Sequence, residues 1–350
     1  MNETSPSLSI LDYSYELPDE LIAQEPLERR EGSRMLVVNR ESGTLTDGKF
    51  TDFPDRLRAG DVLVLNNTKV FPARLLGVTE TGARVEIFLI KNIEGEIWET
   101  LARPARRLKP GKTIRFSDDL SAEVTAKNDE GTVVVRFHSA RPLDQIVDEI
   151  GKTPLPPYIK RETEGADTDR ERYQTVFAKQ RGAIAAPTAG LHFTPEILDR
   201  IKDHGVQIAE ITLHVGYGTF EPVRVTDLSK HRVLPESFEI SPETAETLNR
   251  AKAENRRIVA VGTTTTRTLE SVMTKHGKFQ AERGLADLTI TPGYKFSAID
   301  ALLTNFHLPQ SSLLVLVSTF AGRELIMKAC EHAVAERYRF YSYGDCMFVE

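Results

Sequence analysis

The sequence is poor in cysteine and has no long hydrophobic run. Only two cysteines, Cys330 and Cys346, occur in 350 residues. Two are too few for a disulfide framework, and their spacing is not that of a zinc site. No apolar run reaches the roughly 18 residues that a membrane helix needs. The first residues lack a basic segment followed by an apolar one, so no signal peptide is expected. These absences predict a cytoplasmic protein without a membrane span.

Several common site motifs are also missing. No G-x-G-x-x-G follows a strand, so a Rossmann dinucleotide or ordinary methyltransferase site is unsupported. The sequence has no Walker A lysine, no H-E-x-x-H and no G-x-S-x-G, which argues against a P-loop, a zinc protease and a serine hydrolase. None of the histidines are at short ligand spacing, and no metal is expected.

Charge is distributed unevenly along the chain. The formal net charge is −6, which argues against indiscriminate nucleic-acid binding. The segment 101–116 nevertheless has six basic residues and no acid, and without them the rest of the chain stands at −12. The six are Arg103, Arg106, Arg107, Lys109, Lys112 and Arg115. Such a segment is either a local phosphate-binding patch or a β-hairpin edge protected by charge.

Hydrophobic patterning predicts two regions of different architecture. Residues 71–149 contain short β-branched runs separated by turns, among them ARVEIFLI, EIWETLAR, KTIRF, LSAEVTAK and TVVVRFH, and predict an inserted small β-barrel domain. A proline-rich connector, TPLPPYIK, follows. Residues 1–70 and 150–350 form the large domain in this prediction. The fold class is α/β: a large layered α/β domain with a mostly parallel sheet, plus the barrel.

Strands and helices alternate after Arg181. Predicted strands are GAIAAP, VQIAEITLHV, RIVAVG and SLLVLVSTF, and predicted helices are TPEILDRIKDHG, SPETAETLNRAKAENR, TTTRTLESVMTKHG and ELIMKACEHAVAERY. The first helix has a capping residue, Thr194, then Pro195 at its first position, and Gly205 lies past its end. MLVVNR and DVLVLN near the N-terminus are further strands of the large domain.

Polar, glycine-rich loops follow several of these strands. Ligands collect at the carboxyl ends of strands in open α/β sheets, so the loops define a candidate site. Three histidines, His192, His214 and His307, are the candidate acid–base groups. The other candidates are Thr188, Gly190, Glu210, Gly216, Tyr217, Gly218, Thr263, Thr264, Thr265, Arg267, Glu270, Asn305, Tyr343 and Asp345, with Glu221 a further acid. Each has a structural alternative, such as helix capping, a tight turn or core packing. Four such loops on one side favour one shared site.

Eight motifs in order resemble one family. They include AAPTAGLHFT, LHVGYGTFEPV, VGTTTTRTLES, TNFHLPQSSLLVLVSTFAG and RFYSYGDCMF, together with LDYSYELPDEL, GDVLVLNNTKVFPARLLG and DRERYQTVFA. The chain thereby resembles, almost end to end, the S-adenosylmethionine:tRNA ribosyltransferase-isomerases of queuosine biosynthesis. An acidic stretch, ETEGADT, between Arg161 and Asp169 departs from the family pattern and is expected to be a variable loop.

The resemblance implies a reaction and its substrates. S-adenosylmethionine donates its ribosyl group to 7-aminomethyl-7-deazaguanine at the wobble position of tRNA with a GUN anticodon. The products are epoxyqueuosine in tRNA, adenine and methionine. S-adenosylmethionine is a substrate here, and the family implies neither a metal nor a prosthetic group. We expect a monomer.

Roles for the candidates follow from that chemistry. A base removes a C5′ proton beside the sulfonium, a proton donor releases adenine, and a neutral amine attacks. Arg267 is predicted to hold the methionine carboxylate, helped by the helix start at Thr263. Tyr217 and Tyr343 are predicted to stack on adenine or the sulfonium. The acids Glu210, Glu221, Glu270 and Asp345 are predicted partners of the sulfonium or amino group.

The resemblance also implies contacts to tRNA. The six basic residues of segment 101–116 are expected to bind it, with Arg29, Arg30 and Arg34 as a second set. Tyr173 and Gln174 are expected near the anticodon loop. Two alternatives remain open from the sequence. One is a different S-adenosylmethionine-dependent tRNA-modifying transferase, and the other is a noncatalytic tRNA-binding protein.

Overall fold

The computed structural model describes residues 7–128, 131–161, 167–220 and 223–350. Three sheets organise this part of the chain: a nine-stranded mixed sheet, a closed six-stranded barrel and a two-stranded sheet. The predicted fold class, a large α/β unit with a small β-barrel, is confirmed. Glu221 and most of the variable stretch after Arg161 lie outside the described residues.

The strands are numbered along the chain. They are β1 Arg34–Val38, β2 Leu45–Lys49, β3 Val62–Asn66, β4 Thr68–Val70, β5 Arg74–Thr79, β6 Arg84–Glu94, β7 Ile97–Arg103, β8 Thr113–Arg115, β9 Leu120–Lys127, β10 Val133–Ser139, β11 Gln180–Ala183, β12 Gln207–Leu213, β13 Glu236–Ile240, β14 Ile258–Val261, β15 Glu282–Ala286, β16 Ala301–Asn305 and β17 Cys346–Val349. The α-helices are α1 Phe53–Arg56, α2 Leu143–Ile150, α3 Asp167–Arg172, α4 Pro195–Asp203, α5 Pro242–Ala253, α6 Thr263–His276, α7 Ser312–Ala321 and α8 Arg323–Ala335.

The large sheet has the order β15-β13-β12-β3-β14-β16-β17-β1-β2. Its central strands β12, β3, β14 and β16 run parallel to one another, and β17 runs parallel to β1. The other four pairs of neighbouring strands in this sheet are antiparallel. The sheet is therefore more mixed than the predicted mostly parallel arrangement, because β2, β13 and β15 add antiparallel pairs toward its two edges and β17 is antiparallel to β16.

Alternate side chains of the central strands enter separate cores. In β3, Val62 and Val64 pack into one core and Leu63 and Leu65 into the other. Both faces of the sheet are thus covered, which explains the uninterrupted apolar sequence VLVL. The covered faces leave the strand ends as the places where polar side chains gather.

The barrel consists of β5 to β10, and each strand pairs with a neighbour on both sides. Its interior is filled by aliphatic and aromatic side chains such as Leu75, Ile87 and Phe137. All five β-branched runs predicted for this region are strands. The predicted domain boundaries at residues 71 and 149 remain a prediction.

Two predicted elements differ from the structure. The predicted strand GAIAAP is a strand only at Gly182 and Ala183, the end of β11, which pairs with β4 outside the large sheet. The run SLLVLVSTF is helix α7, not a strand, and the preceding strand is β16. The Ser311 hydroxyl accepts a hydrogen bond from the Leu314 N–H (3.2 Å) and caps the helix. The helix is apolar nearly all round because most of it is buried. Its sequence therefore has no 3.6-residue periodicity to distinguish it from a buried strand.

The predicted helix start at Thr194 is confirmed in detail. Its hydroxyl accepts from the Ile197 N–H (3.3 Å), Pro195 is the first helical residue, and Gly205 beyond the end has φ +78°. Within the described ranges, no helix has the length and apolarity needed to cross a membrane.

Candidate active site

A cleft opens where β14 and β16 end. Because β3, β12, β14 and β16 are parallel, their carboxyl ends meet at this edge of the sheet. The cleft has about 600 Å³ of empty space, counted to its open mouth. Its lining is uncharged and consists of Tyr158, Tyr173, Ala185, Ala186, Pro187, Thr188, Ala189, Val215, Gly262, Thr263, Thr264, Thr304, Asn305, Phe306, His307, Leu313, Tyr341 and Ser342. Five of the sequence candidates therefore lie together: Thr188, Thr263, Thr264, Asn305 and His307.

Helix α6 begins at the cleft. Its N-cap is Gly262, which has φ +89°, and no side chain caps its first turn. Gly262, Thr263 and Thr264 line the cavity. The helix start is therefore suited to an anionic ligand group. Thr265, a sequence candidate, is turned away from it. Its buried hydroxyl donates to the Val261 carbonyl (2.7 Å) and serves the helix itself.

His307 lies in the cleft wall with 7% of its surface exposed. Its Nε2 pairs with the Thr304 hydroxyl at 2.9 Å. Burial lowers the pKa of His307 to about 3. The ring is therefore neutral at physiological pH, which is the form that can accept a proton.

His192 lies directly behind the cleft wall. Its Nδ1 pairs with the Ser33 hydroxyl at 2.7 Å, and its Nε2 is 3.3 Å from the Asn305 amide nitrogen. Burial, with a contribution from the Arg339 charge, lowers the pKa of His192 to about 4. A neutral ring accepts from the Asn305 amide at Nε2 and donates from Nδ1 to Ser33. His192 thereby fixes the orientation of Asn305.

That orientation determines what Thr188 offers to a ligand. With its nitrogen toward His192, Asn305 presents its carbonyl oxygen to the Thr188 hydroxyl, which donates to it at 2.9 Å. The hydroxyl proton is thereby used, and only oxygen lone pairs remain. Toward the cleft Thr188 is an acceptor.

His214 is separate from the other two histidines. Its Nδ1 pairs with the Thr68 hydroxyl at 2.8 Å, and its ring packs against the backbone of Gly182. It does not line the cleft. Burial lowers its pKa, an effect that Glu239 opposes. Of the three candidate histidines only His307 lines the cleft, so the expectation that three imidazoles meet there is wrong for both His192 and His214.

The guanidinium of Arg267 is buried and bonded to protein groups on all three nitrogens. Its Nη1 donates to Glu236 Oε2 at 2.6 Å, and its other N–H groups reach the carbonyls of Ala286 (3.0 Å), Leu288 (3.4 Å) and Leu234 (3.5 Å). The ion pair is almost fully buried. The predicted role in holding the methionine carboxylate is corrected: Arg267 joins α6 to the neighbouring strands.

Glu270 and Asp345 also have structural partners in place of a ligand. The fully buried carboxylate of Glu270 accepts from the Tyr294 hydroxyl (2.9 Å) and from the N–H groups of residues 297–299 at 2.9–3.2 Å. Asp345 accepts from the N–H groups of Arg34 and Arg339, both at 2.8 Å. Burial raises the pKa of Asp345. Neither carboxyl lines the cleft, so their assignment to the sulfonium is wrong.

The remaining polar candidates also contact protein. Glu210 pairs with the Lys179 ammonium (2.7 Å) and accepts from the Asn67 amide (3.1 Å). The Tyr343 hydroxyl donates to Asp169 at 3.1 Å. Tyr217 packs edge-on against Phe88 of the barrel, 6.3 Å between centroids. All three lie outside the cleft lining.

The candidate glycines serve packing and loop geometry. A Cβ at Gly190 would lie 2.7 Å from the Phe177 ring, and one at Gly218 would lie 2.9 Å from the Leu234 side chain. The Gly216 N–H donates to Glu236 at 2.8 Å. None of the three lines the cleft.

A second, open groove adjoins the cleft. Lysine and arginine side chains outnumber acids in its lining, which consists of Arg30, Lys69, Val70, Phe71, Pro72, Asp148, Thr153, Arg170, Glu171, Tyr173, Gln174, Thr175, Val176 and Arg181. Tyr173 lines both cavities but is completely buried, and its predicted position near the anticodon loop stays a prediction. The Gln174 amide exchanges two hydrogen bonds of 3.0 Å with the Val70 backbone. The Gln174 amide would have to break these two hydrogen bonds before it could contact tRNA.

The basic segment lies on the barrel surface. Arg103, Arg106, Lys109, Lys112 and Arg115 are all exposed, and the side chain of Arg107 lies outside the description. Strand β8 pairs with β5 on one side and β9 on the other. The segment is therefore not a free sheet edge, and the edge-protection interpretation is wrong. Of the second basic set, Arg30 and Arg34 bond backbone carbonyls, Gln174 and Glu336 respectively.

One protein family matches the chain along almost its whole length. Residues 10–349 match the sequence profile of a family described as queuosine biosynthesis protein. The chain belongs to this family.

Two relatives and one solved structure match this chain along almost its whole length. The S-adenosylmethionine:tRNA ribosyltransferase-isomerase of Desulfitobacterium hafniense is 47% identical over 344 residues, which are 98% of this chain and 100% of the relative. That of Syntrophotalea carbinolica is 48% identical with the same coverage. A crystal structure of an S-adenosylmethionine tRNA ribosyltransferase from Thermotoga maritima is similar with a TM-score of 0.55 and 37% identity, covering 97% of this chain and 100% of that one.

Several cleft residues of this queuosine biosynthesis protein are not among the sequence candidates. Tyr158 comes from the proline-rich connector, and Tyr341 and Ser342 come from the turn before β17. Asn66, at the end of β3, donates to the Leu213 carbonyl (3.0 Å) and the Thr264 hydroxyl (3.3 Å) and so joins three strand ends. The paired asparagines directly after VLVL were a signal for this site. Among the described residues, no cluster of three His, Cys, Asp or Glu is placed to hold a metal.

Proposed function

We propose that this chain transfers and isomerises the ribosyl group of S-adenosylmethionine onto 7-aminomethyl-7-deazaguanine at the wobble position of tRNA. The products are epoxyqueuosine-tRNA, adenine and methionine. Family membership over residues 10–349 supports the proposal, as do the names of two full-length relatives. The structural observation that carries it is the uncharged cleft at the strand ends, lined by Thr188, Asn305 and His307.

In this proposal the cleft binds the sulfonium nucleoside. The uncapped start of α6 receives the methionine carboxylate. Thr188, an acceptor toward the cleft, takes a ribose hydroxyl or the ammonium group. Of the three candidate histidines, His307 is the one that lines the cleft, so it is our choice for the group that removes the C5′ proton. Ring opening then releases adenine, the tRNA amine attacks, and the resulting alkoxide closes the epoxide and expels methionine.

The acceptor is tRNA with a GUN anticodon. Two surfaces support this part of the proposal. The groove of Arg30, Lys69, Arg170 and Arg181 adjoins the cleft, and a second groove of about 1,130 Å³ on the barrel includes Arg84, Arg103 and Arg115. We propose that a monomer acts in the cytoplasm without a metal, and that the boundaries at 71 and 149 separate the two domains.

Product analysis tests the function. The protein is incubated with S-adenosylmethionine and tRNA carrying the aminomethyl-deazaguanine base. We expect adenine and methionine in equal amounts, and His307→Ala should lower kcat by about 10²–10⁴-fold without unfolding the chain. His214→Ala is the matched control, because His214 lies outside the cleft, and it should retain most of the turnover. S-adenosylhomocysteine as product would indicate a methyltransferase, and tRNA binding without consumption of S-adenosylmethionine would indicate a noncatalytic protein.

The barrel surface makes a second prediction. The triple variant Arg103→Gln, Arg106→Gln, Arg115→Gln should weaken tRNA binding at low salt. Each lost phosphate contact should also reduce the slope of log K against log salt by about one. Filter binding between about 50 and 200 mM salt measures both effects. The exposed triple Lys202→Gln, Arg250→Gln, Arg283→Gln, on α4, α5 and β15, is the control. An unchanged slope in the barrel variant would place the tRNA elsewhere.

A further inference from the structure

Two tyrosines form a right-angled corner in the cleft. The ring centroids of Tyr158 and Tyr341 are 3.9 Å apart, and the ring planes meet at 88°. Both side chains line the cavity and are partly buried. A hydrogen bond between the hydroxyls of Tyr158 and Ser342 holds the first ring in place.

The second ring is held by an unusual backbone. Tyr341 has φ +76°, a backbone conformation that residues other than glycine rarely adopt. The Gly344 N–H bonds the Tyr341 carbonyl (3.0 Å), and a Cβ at Gly344 would lie 2.5 Å from the Arg339 carbonyl oxygen. The turn therefore depends on glycine at one end and accepts a strained tyrosine at the other. Strain of this kind is concentrated at functional positions.

We infer that the Tyr158–Tyr341 corner is the subsite for the positively charged sulfonium of the donor, held by cation–π attraction. The inference rests on the proposed function, since the sulfonium belongs to S-adenosylmethionine. It names two specificity-determining residues that are 183 positions apart in the chain. Tyr158 belongs to the proline-rich connector and Tyr341 to the turn before β17.

The lining of the cleft supports a neutral, aromatic subsite. Among residues 7–128, 131–161, 167–220 and 223–350, no aspartate, glutamate, lysine or arginine lines the cavity. Burial raises the pKa of Tyr341 to about 12 and raises that of Tyr158 as well, so both phenols are uncharged. The attractive groups that remain for a cation are aromatic faces and hydroxyl oxygens.

The angle between the rings favours a compact cation over a flat base. A planar adenine can lie against only one of two perpendicular rings. A trialkylsulfonium is small and nearly isotropic, so it can contact both walls of the corner at once. The attraction depends on charge, and a neutral thioether at the same place would lose it.

Ligand charge therefore tests the inference directly. Dissociation constants for S-adenosylmethionine and S-adenosylhomocysteine are measured by calorimetry in the absence of tRNA, for the wild type and for Tyr341→Leu, Tyr158→Leu and Tyr341→Phe. The ratio of the two constants expresses selectivity for the charged ligand. We expect the ratio to fall about three- to tenfold in each leucine variant. It should change less than twofold in Tyr341→Phe, which keeps the aromatic face.

Other outcomes would overturn the inference. Equal losses of affinity for both nucleosides in the leucine variants would indicate apolar packing or adenine stacking and would overturn the corner subsite alone. A wild type that binds neither nucleoside would overturn the proposed function together with it. Thermal melting identifies a variant that fails to fold. Tyr158 lies outside the strained turn, so Tyr158→Leu decides the question if Tyr341→Leu does not fold.

Discussion

Acidification from pH 7 to pH 4 is expected to lower the free energy of unfolding by about 3 kcal/mol through His192 alone. Its pKa is about 4 in the folded protein and near 6.5 when the chain unfolds. Between these values the unfolded state binds a proton that the folded state excludes. The stabilisation is therefore complete above pH 6.5 and is lost as the pH falls toward 4.

His307 acts in the same direction. Its pKa of about 3 adds a loss of roughly 3 kcal/mol over the same interval. The two losses together approach the whole stability of many domains. Acid unfolding should therefore begin well above the pKa values of surface carboxyls, with the cleft wall as its weakest part.

Urea unfolding at pH 7, 5 and 4 measures this dependence. In His192→Gln the amide replaces the imidazole next to Asn305, so the variant is less stable at pH 7 but should lose about 3 kcal/mol less on acidification than the wild type. His138→Gln is the control, because His138 is exposed on the barrel. A His192→Gln variant with the wild-type pH dependence would show that the ring is not the buried neutral group described above.

Replacing Arg267 is expected to lower the free energy of unfolding and to have little effect on donor binding. In Arg267→Met the carboxylate of Glu236 keeps its bond to the Gly216 N–H but loses its ion pair with Arg267. Removing one partner of a buried ion pair typically costs about 3–5 kcal/mol. The free energy of unfolding in urea should fall by that amount, while the KM for S-adenosylmethionine should change less than about threefold.

A double variant separates the structural role from a binding role. Arg267→Met with Glu236→Gln removes both charges of the ion pair and should recover a large part of the lost stability. If Arg267 held the methionine carboxylate, the single variant would be stable and its KM would rise by tenfold or more. That result would contradict the pairing of Arg267 with Glu236.

Local patterns predicted much of the fold. The barrel strands are short β-branched runs between turn residues, and α4 is marked by Thr194, Pro195 and Gly205. Strand direction is not a local property, so the mixed sheet was not predictable. Helix α7 was mistaken for a strand because burial on nearly all sides removes the periodicity on which the distinction depends.

The site was predicted where a strand end defines it. Asn305 and His307 lie at the cleft because β16 is parallel to β14 and the carboxyl ends of parallel strands share one edge of the sheet. Thr188 follows β11 of the separate two-stranded sheet and lies at the cleft beside Asn305. Arg267, Glu270 and Asp345 have the same sequence character, but their partners come from distant segments. A charged side chain that is already paired cannot be told from a free one in the sequence. Tyr158 was missed because a connector gives no indication of which cavity it enters.

The position of β17 has a consequence for biosynthesis. This strand, residues 346–349, lies between β16 and β1 and is the only member of the large sheet that pairs with both. Strands β1 and β2 therefore cannot join the sheet until these residues have left the ribosome. The barrel, made from residues 74–139 alone, has no such dependence and can form during translation. The nascent protein must keep its first strands unassembled while most of the molecule is synthesised.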